Sequence, residues 1–583
     1  MKKNSEKKKN LKGLIDAARG RIPGDVVIKN GLIADVYAGR WIQGDVALWG
    51  EYIAGIGTYE GKEVIDAEGQ YLLPGFIDAH MHIESSFVSP EELGRLLVPH
   101  GTSTILADPH EIVNVWGLPG LEYMLRAAER TALDIIFLVP SCVPVSDFDS
   151  AGGVLESRDL IPLLRNSRIA GLGEFMRYPD VIQGRDSAIE KILAAQAAGK
   201  LIDGHGPGLT GKDLNAYISP GIHTDHECAE AEEMQERLSA GMYVLLRQGS
   251  ACQDLENLLP GLTPQNSRRC AFCSDDRQAK TILETGHLEE HLRICVEKGI
   301  EPITAVQMAT LNSAECFRLY DRGAIAPGLR ADVVFVENLQ DFPVNQVFIR
   351  GKLTAAKGRY LPSFTRQDDT PVRGSFHVKD FTLEKLRLPL AGGKARVIDI
   401  QPGSVVTKEK IIDVQRDPEG NFIFNPKQDA VKIAVIERHK RTGNVGLGLL
   451  GGYGLRQGGL ALSIAHDSHN IIAVGVSDRD MHLAVETILA LGGGVALVKD
   501  GAVLETLPLP LGGLMSDQTG EKVTEKLRSI QAIAQKTLGV NPKIEPLMTL
   551  CFMALPVIPK LKLTDKGLFD VELLSFVPVS PEA

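Results

Sequence analysis

The chain has 583 residues, more than one core can organise, so three or four domains are expected. Its 63 basic and 74 acidic residues leave a net charge of −11, and only 5% of residues are aromatic, which argues against nucleic-acid binding. No run of about 18 apolar residues predicts a membrane span, and eight cysteines suit a reducing cytoplasm better than a disulfide framework.

Residues 1–20 are lysine-rich with no apolar run behind them, and read as a flexible tail rather than a signal peptide or anchor. Between 21 and 72 short alternating runs recur at 26–28, 32–37 and 45–49, punctuated by Asn30-Gly31, Gly44 and Gly50. That is the pattern of antiparallel strands and turns. It returns within 322–375, at 331–336 and 346–352, so the two stretches are expected to build one small β-sandwich from both flanks of a middle domain.

Over 73–321 strand, loop and helix alternate. After a first strand containing Phe76 and Ile77, strands are predicted at 102–107, 134–139, 169–174, 201–205, 221–226, 242–247 and 270–275. Amphipathic stretches at 91–98, 120–130, 186–198, 228–240 and 279–298 separate or follow them. The fold class is therefore α/β, a (β/α)8 TIM-like barrel whose chemistry belongs at the C-terminal strand ends. A doubly wound sheet would need a GxGxxG turn after an early strand, and none is present. Residues 380–583 mix strand-like runs with glycine-rich turns at 446–459 and 492–494, and predict a C-terminal α+β domain.

Polar residues collect at the predicted strand ends. His80 and His82, at i and i+2 on one strand, point the same way. Glu174 ends the fourth strand, His205 the fifth, His226 the sixth and Asp275 the eighth. A lone strand-end histidine is usually structural, but six such residues facing one barrel mouth suit a divalent cation such as Mn, Fe or Zn.

The stretches PGFIDAHMHIESS, ADPHEIVNVWG, GLGEFM, DGHGPG, TDHE and FCSDDR resemble those of the bacterial adenine deaminases in the amidohydrolase superfamily. The likeness runs on into the C-terminal GLLGGYGL and IAHDSHN. It implies a metal-dependent barrel that converts adenine to hypoxanthine and ammonia in purine salvage, in a cytoplasmic homo-oligomer, dimer or larger. It carries the metal ligands onto His80, His82, Glu174, His205, His226 and Asp275, with two metals per chain, manganese or iron first and zinc as the alternative. Many amidohydrolases bridge their metals with a carboxylated lysine at the fourth strand; Glu174 stands there instead. Water whose pKa the metals lower attacks carbon 6, and Asp275 moves its proton to the leaving amine. Where adenosine-deaminase-type enzymes place a glutamate after the fifth-strand histidine, this chain has Gly206-Pro207-Gly208. The ring-nitrogen donor is then sought among Glu84, His110 and Glu111, with His110, Glu111 and Asp276 as substrate contacts.

Plainer readings stand beside these. Asp276 pairs most simply with Arg277, and His223 faces away from His226 on a regular strand. His466 and His469 suit either a lid over the mouth or a surface turn. His82-Ile83-Glu84 with Cys270 and Cys273 partly matches another zinc-deaminase signature, but Arg269 replaces its proline and the cysteines face opposite sides of a strand. Rival functions are a related amidohydrolase acting on another amino-purine or a cyclic amide, and a barrel serving only as scaffold.

Overall fold

In the computed structural model, which describes residues 2–581, the short strand Tyr71–Pro74 is the seam between two parts of the chain. It pairs in parallel with Gly24–Asp35 and antiparallel with Val333–Val336. Strands from both flanks therefore join one nine-stranded sheet, not two separate facing ones. Gly75 then turns the chain into the barrel, where a Cβ would collide with the Ser103 hydroxyl.

Eight parallel strands follow: β1 (Phe76–Met81), β2 (Thr102–Ala107), β3 (Asp134–Val139), β4 (Ile169–Leu172), β5 (Leu201–Ile202), β6 (Thr224–Asp225), β7 (Tyr243–Arg247) and β8 (Cys270–Cys273). β1 to β5 form one ladder and β6 to β8 another. Three backbone bonds join the ladders: His223 N–H donates to Ile202 O at 2.9 Å, Asp275 N–H donates to His80 O at 3.0 Å, and His82 N–H donates to Asp275 O at 3.2 Å. The sheet thus curls into a TIM-barrel-like ring, and its strands, covered on both faces, are buried along nearly their whole length rather than at alternate residues. β5 and β6 are shorter than predicted, because the chain beyond them bonds to side chains: after β5 Gly204 N–H donates to Asp203 Oδ1 and Gly206 N–H to Asp225 Oδ1, and after β6 Glu227 N–H donates to Asp225 Oδ1. The predicted helix over 279–298 is two helices, Ala279–Thr285 and Leu288–Glu297, broken at Gly286 with φ of +98°.

The expected flexible tail is instead a helix, Lys2–Ala18; Met1 lies outside the described residues. Leu14 and Ala17, three apart on one helix face, pack with Val27, Ala47, Trp49 and Ala54. The C-terminal unit is built on an eight-stranded sheet running from the edge strand Thr407–Asp413 to Ala502–Pro508, with helix Asp478–Ala490 against it. A second helix, Gly520–Lys536, packs on Ala279–Thr285 of the barrel. A single apolar cluster runs from Phe87 and Leu96 of the barrel into Leu514, Val523 and Leu527. Among the described residues no helix is long and apolar enough to cross a membrane.

Candidate functional site

All six strand-end residues converge at the C-terminal mouth of the barrel. His80 Nδ1 donates to Asp203 Oδ2 at 2.8 Å, and His82 Nδ1 donates to the Asp108 carbonyl at 2.9 Å. Those bonds fix both tautomers and leave two Nε2 lone pairs facing each other at 3.1 Å. Such an approach is repulsive unless a proton or a cation sits between them.

Glu174 divides its carboxylate between two imidazole sets. Oε1 lies 3.3 Å from His82 Nε2, whereas Oε2 lies 2.7 Å from His205 Nδ1 and 3.3 Å from His226 Nε2. Gly173 before it has no room for a side chain, since a Cβ there would strike the Asp108 carboxylate, and that carboxylate accepts the Glu174 N–H at 3.0 Å. Asp275 follows β8 in the left-handed region, φ of +52°, uncommon for a residue with a side chain. Its Oδ1 is 3.1 Å from His82 Nε2, and its Oδ2 accepts from Arg247 at 2.9 Å.

The electrostatics favour a cation in this space. Burial alone would lower the imidazole pKa values, yet the carboxylates outweigh it. His82 is raised well above its ordinary value by Asp275 and Glu174. His205 is raised to about 9 by Glu227 and Glu174, and His226 to about 9 by Glu174. Burial also opposes ionisation of Glu174 and Asp275, but the histidines, with Arg247 for Asp275, hold both well below the carboxylate range. Protons therefore balance charges that a divalent ion would balance as well, and the ligand atoms lie in groups within 4.8 Å of one another. Imidazole and carboxylate donors together fit Mn, Fe or Zn.

Around this centre the other candidates separate. His110 Nδ1 is 3.4 Å from Glu174 Oε1, and its pKa is raised to about 10, Asp108 and Asp467 outweighing burial. Glu111 accepts from Ser85 at 3.1 Å and faces His466 Nδ1 at 3.2 Å. Both line the cavity, as does Asp276. Glu84 does not; it accepts Ile112 N–H at 3.1 Å at the start of helix His110–Trp116. The expected Asp276–Arg277 pair does not form. Asp276 accepts from the Ser85 hydroxyl, whereas buried Arg277 turns to Glu290 and the Gln248 carbonyl. His223 packs on Tyr243 away from the ligands, and Cys270 and Cys273 belong to different core clusters.

Sequence reasoning passed over several residues that the structure brings to the mouth. Glu227 and Arg247, which pair with each other, line the cavity, and both stood in motifs or strand ends already singled out. Asp108 and Asp203 hold the β1 histidines from behind. The C-terminal unit adds His466, Asp467, Phe552, Leu555 and Ile558 to the cavity wall, so the IAHDSHN stretch is buried at the mouth, not a surface turn.

Comparison with known proteins agrees with this architecture. Residues 71–354 match the model described as the amidohydrolase family, the class that a barrel with such a mouth defines. Residues 404–574 match the adenine deaminase C-terminal domain. Adenine deaminase 2 of Desulfotalea psychrophila is 57% identical over 98% of this chain and 99% of its own length. The adenine deaminases of Ligilactobacillus salivarius and Nitratidesulfovibrio vulgaris strain DP4 are each 49% identical over the same shares. The chain belongs to the adenine deaminase family.

Proposed function

We propose that this chain is a metal-dependent aminohydrolase that converts adenine to hypoxanthine and ammonia in purine salvage. The observation that carries the reading is Glu174, whose two oxygens each face a different imidazole set at the barrel mouth. On this reading His80, His82 and Asp275 would hold one cation and His205 and His226 a second, with Glu174 shared between them. When bound, such a pair lowers the pKa of water and supplies hydroxide at neutral pH. Asp275, kept ionised by Arg247, takes the proton of the attacking water and hands it to the departing amino group. Glu111 protonates the ring nitrogen. Burial, with Glu84 and Asp276 nearby, raises its pKa well above the carboxylate range, so it carries a proton to give. Glu84, outside the cavity, acts only through that raised value, and His110 and Asp276 flank the substrate.

Manganese or iron, with zinc third, a cytoplasmic location and a homodimer or larger assembly complete the proposal. So does a division into a (β/α)8 barrel over 73–321, a flanking unit from 21–72 with 322–375, and a C-terminal unit over 380–583. Protein stripped by chelator should release no ammonia from adenine and regain release with added Mn or Fe. Full activity without metal would overturn the reading. Release from another amino-purine or a cyclic amide, but not from adenine, would favour a related amidohydrolase.

A further inference from the structure

We infer that the C-terminal unit reads the imidazole edge of the purine through Asp467, and so selects a base with a free ring N–H over its N-substituted forms. The inference rests on the deaminase reading above. Metal-type ligands occupy the barrel side of the cavity, while Val405, Phe552, Leu555 and Ile558 of the C-terminal unit supply apolar wall. One carboxylate stands in that wall. Asp467 is 3% exposed; its Oδ1 lies 3.8 Å from His110 Nε2, beyond hydrogen-bond reach, and its Oδ2 has no hydrogen-bond partner.

A buried carboxylate oxygen without a donor is costly, so the position calls for a donor brought by a ligand. The other acidic groups on the cavity are already engaged. Glu111 and Asp276 share the Ser85 hydroxyl, while Asp275 and Glu227 both bind Arg247. Adenine carries one ring N–H, on its imidazole ring and away from the carbon that is attacked. His466, stacked on Phe552 with ring centroids 4.6 Å apart, fixes the segment that presents Asp467. A methyl or sugar on that nitrogen would remove the donor and press into the apolar wall.

The test uses the metal-loaded full chain with adenine, 7-methyladenine and 9-methyladenine. Asp467→Ala should raise KM for adenine about 10–100-fold, the range for a hydrogen bond to a charged group. Metal content and kcat should be unchanged, and the preference for adenine over the methylated bases should fall by the same factor. An unchanged KM, an unchanged preference, or a loss confined to kcat would overturn the assignment, the last pointing to a role through His110. If Asp467→Ala does not fold, Asp467→Leu, which keeps the bulk but cannot accept a hydrogen bond, decides on the same readouts. Wild-type protein that leaves adenine intact would defeat the deaminase reading itself, whereas an active wild type with unaltered Asp467 variants would defeat this inference alone.

Discussion

Glu174 is the residue on which the proposed pair of cations turns, because no single imidazole nitrogen can face two imidazole sets as its carboxylate does. If it bridges, Glu174→Ala should lower bound metal from about two per chain to one or none and abolish deamination. If it only orients His205, metal content should recover at high Mn, with affinity weaker by about 10–100-fold. Metal analysis of the Mn-saturated variant separates the two outcomes. Asp275 makes a sharper kinetic case. Its left-handed backbone places the carboxylate between His82 and Arg247, where it can touch both a cation and a reacting water. Asp275→Asn should keep the fold and lower kcat by about 100-fold or more, the scale of a lost acid–base group. A near-normal rate there, with an inactive Asp276→Asn, would move the role to Asp276.

The elements that carry His205 and His226 are held by a buried ion pair rather than by long ladders. β5 and β6 are two residues each, and the loops beyond them bear His205 and His226. Arg237, on helix Ala231–Ser239, donates to Asp225 Oδ2 and to the Gly206 carbonyl, both at 2.6 Å, and so ties the two strand ends together. Neither partner of that ion pair is exposed. Arg237→Leu should therefore cost about 3–5 kcal/mol, the usual penalty for stranding one buried charge. Denaturant midpoints would check it; a loss below about 1 kcal/mol, the scale of a surface pair, would refute it. These ties also mark where sequence reading stopped. The convergence of the six strand-end residues was legible because a strand's two-residue period and the turn after each apolar run fix where a polar side chain emerges. Arg237 sits on an ordinary charged helix face in the sequence, and nothing local says that its guanidinium reaches back across two loops. Asp276 and Arg277 show the converse, for adjacency in the chain did not put their side chains on the same side. The lysines of the first helix likewise masked the spacing of Leu14 and Ala17.

At the scale of the whole molecule, the mouth is closed by a unit whose approach depends on tertiary packing alone. This is why His466 and His469 read equally well as a lid and as a surface turn. Ser150 donates to Asp565, and Asn470 donates to the Ser150 carbonyl at 2.9 Å, locking that unit against the barrel. The six proposed ligands come from five different strands, two of them from β1, which would make metal binding a property of the assembled fold, so binding should stabilise it globally. The pH dependence follows from the imidazoles. In metal-free protein His205 and His226 have pKa values raised to about 9 by Glu227 and Glu174 against the pull of burial. Raised values mean that these contacts stabilise the apo fold fully below about 6.5, the ordinary imidazole value, and fade as pH rises through about 9. A metal takes the neutral ring instead, so binding releases those protons and tightens over the same interval. The apo form should lose stability over this interval while the loaded form, whose rings the metal holds neutral, keeps its own. At free metal 100-fold above Kd each site adds about 2.7 kcal/mol, enough for thermal melts to resolve. Melting with Mn and with chelator from pH 6.5 to 9 should therefore show the gap in Tm widening with pH. A gap that is constant or narrows would mean that the imidazoles are not the groups the metal displaces protons from, and that the cations sit elsewhere.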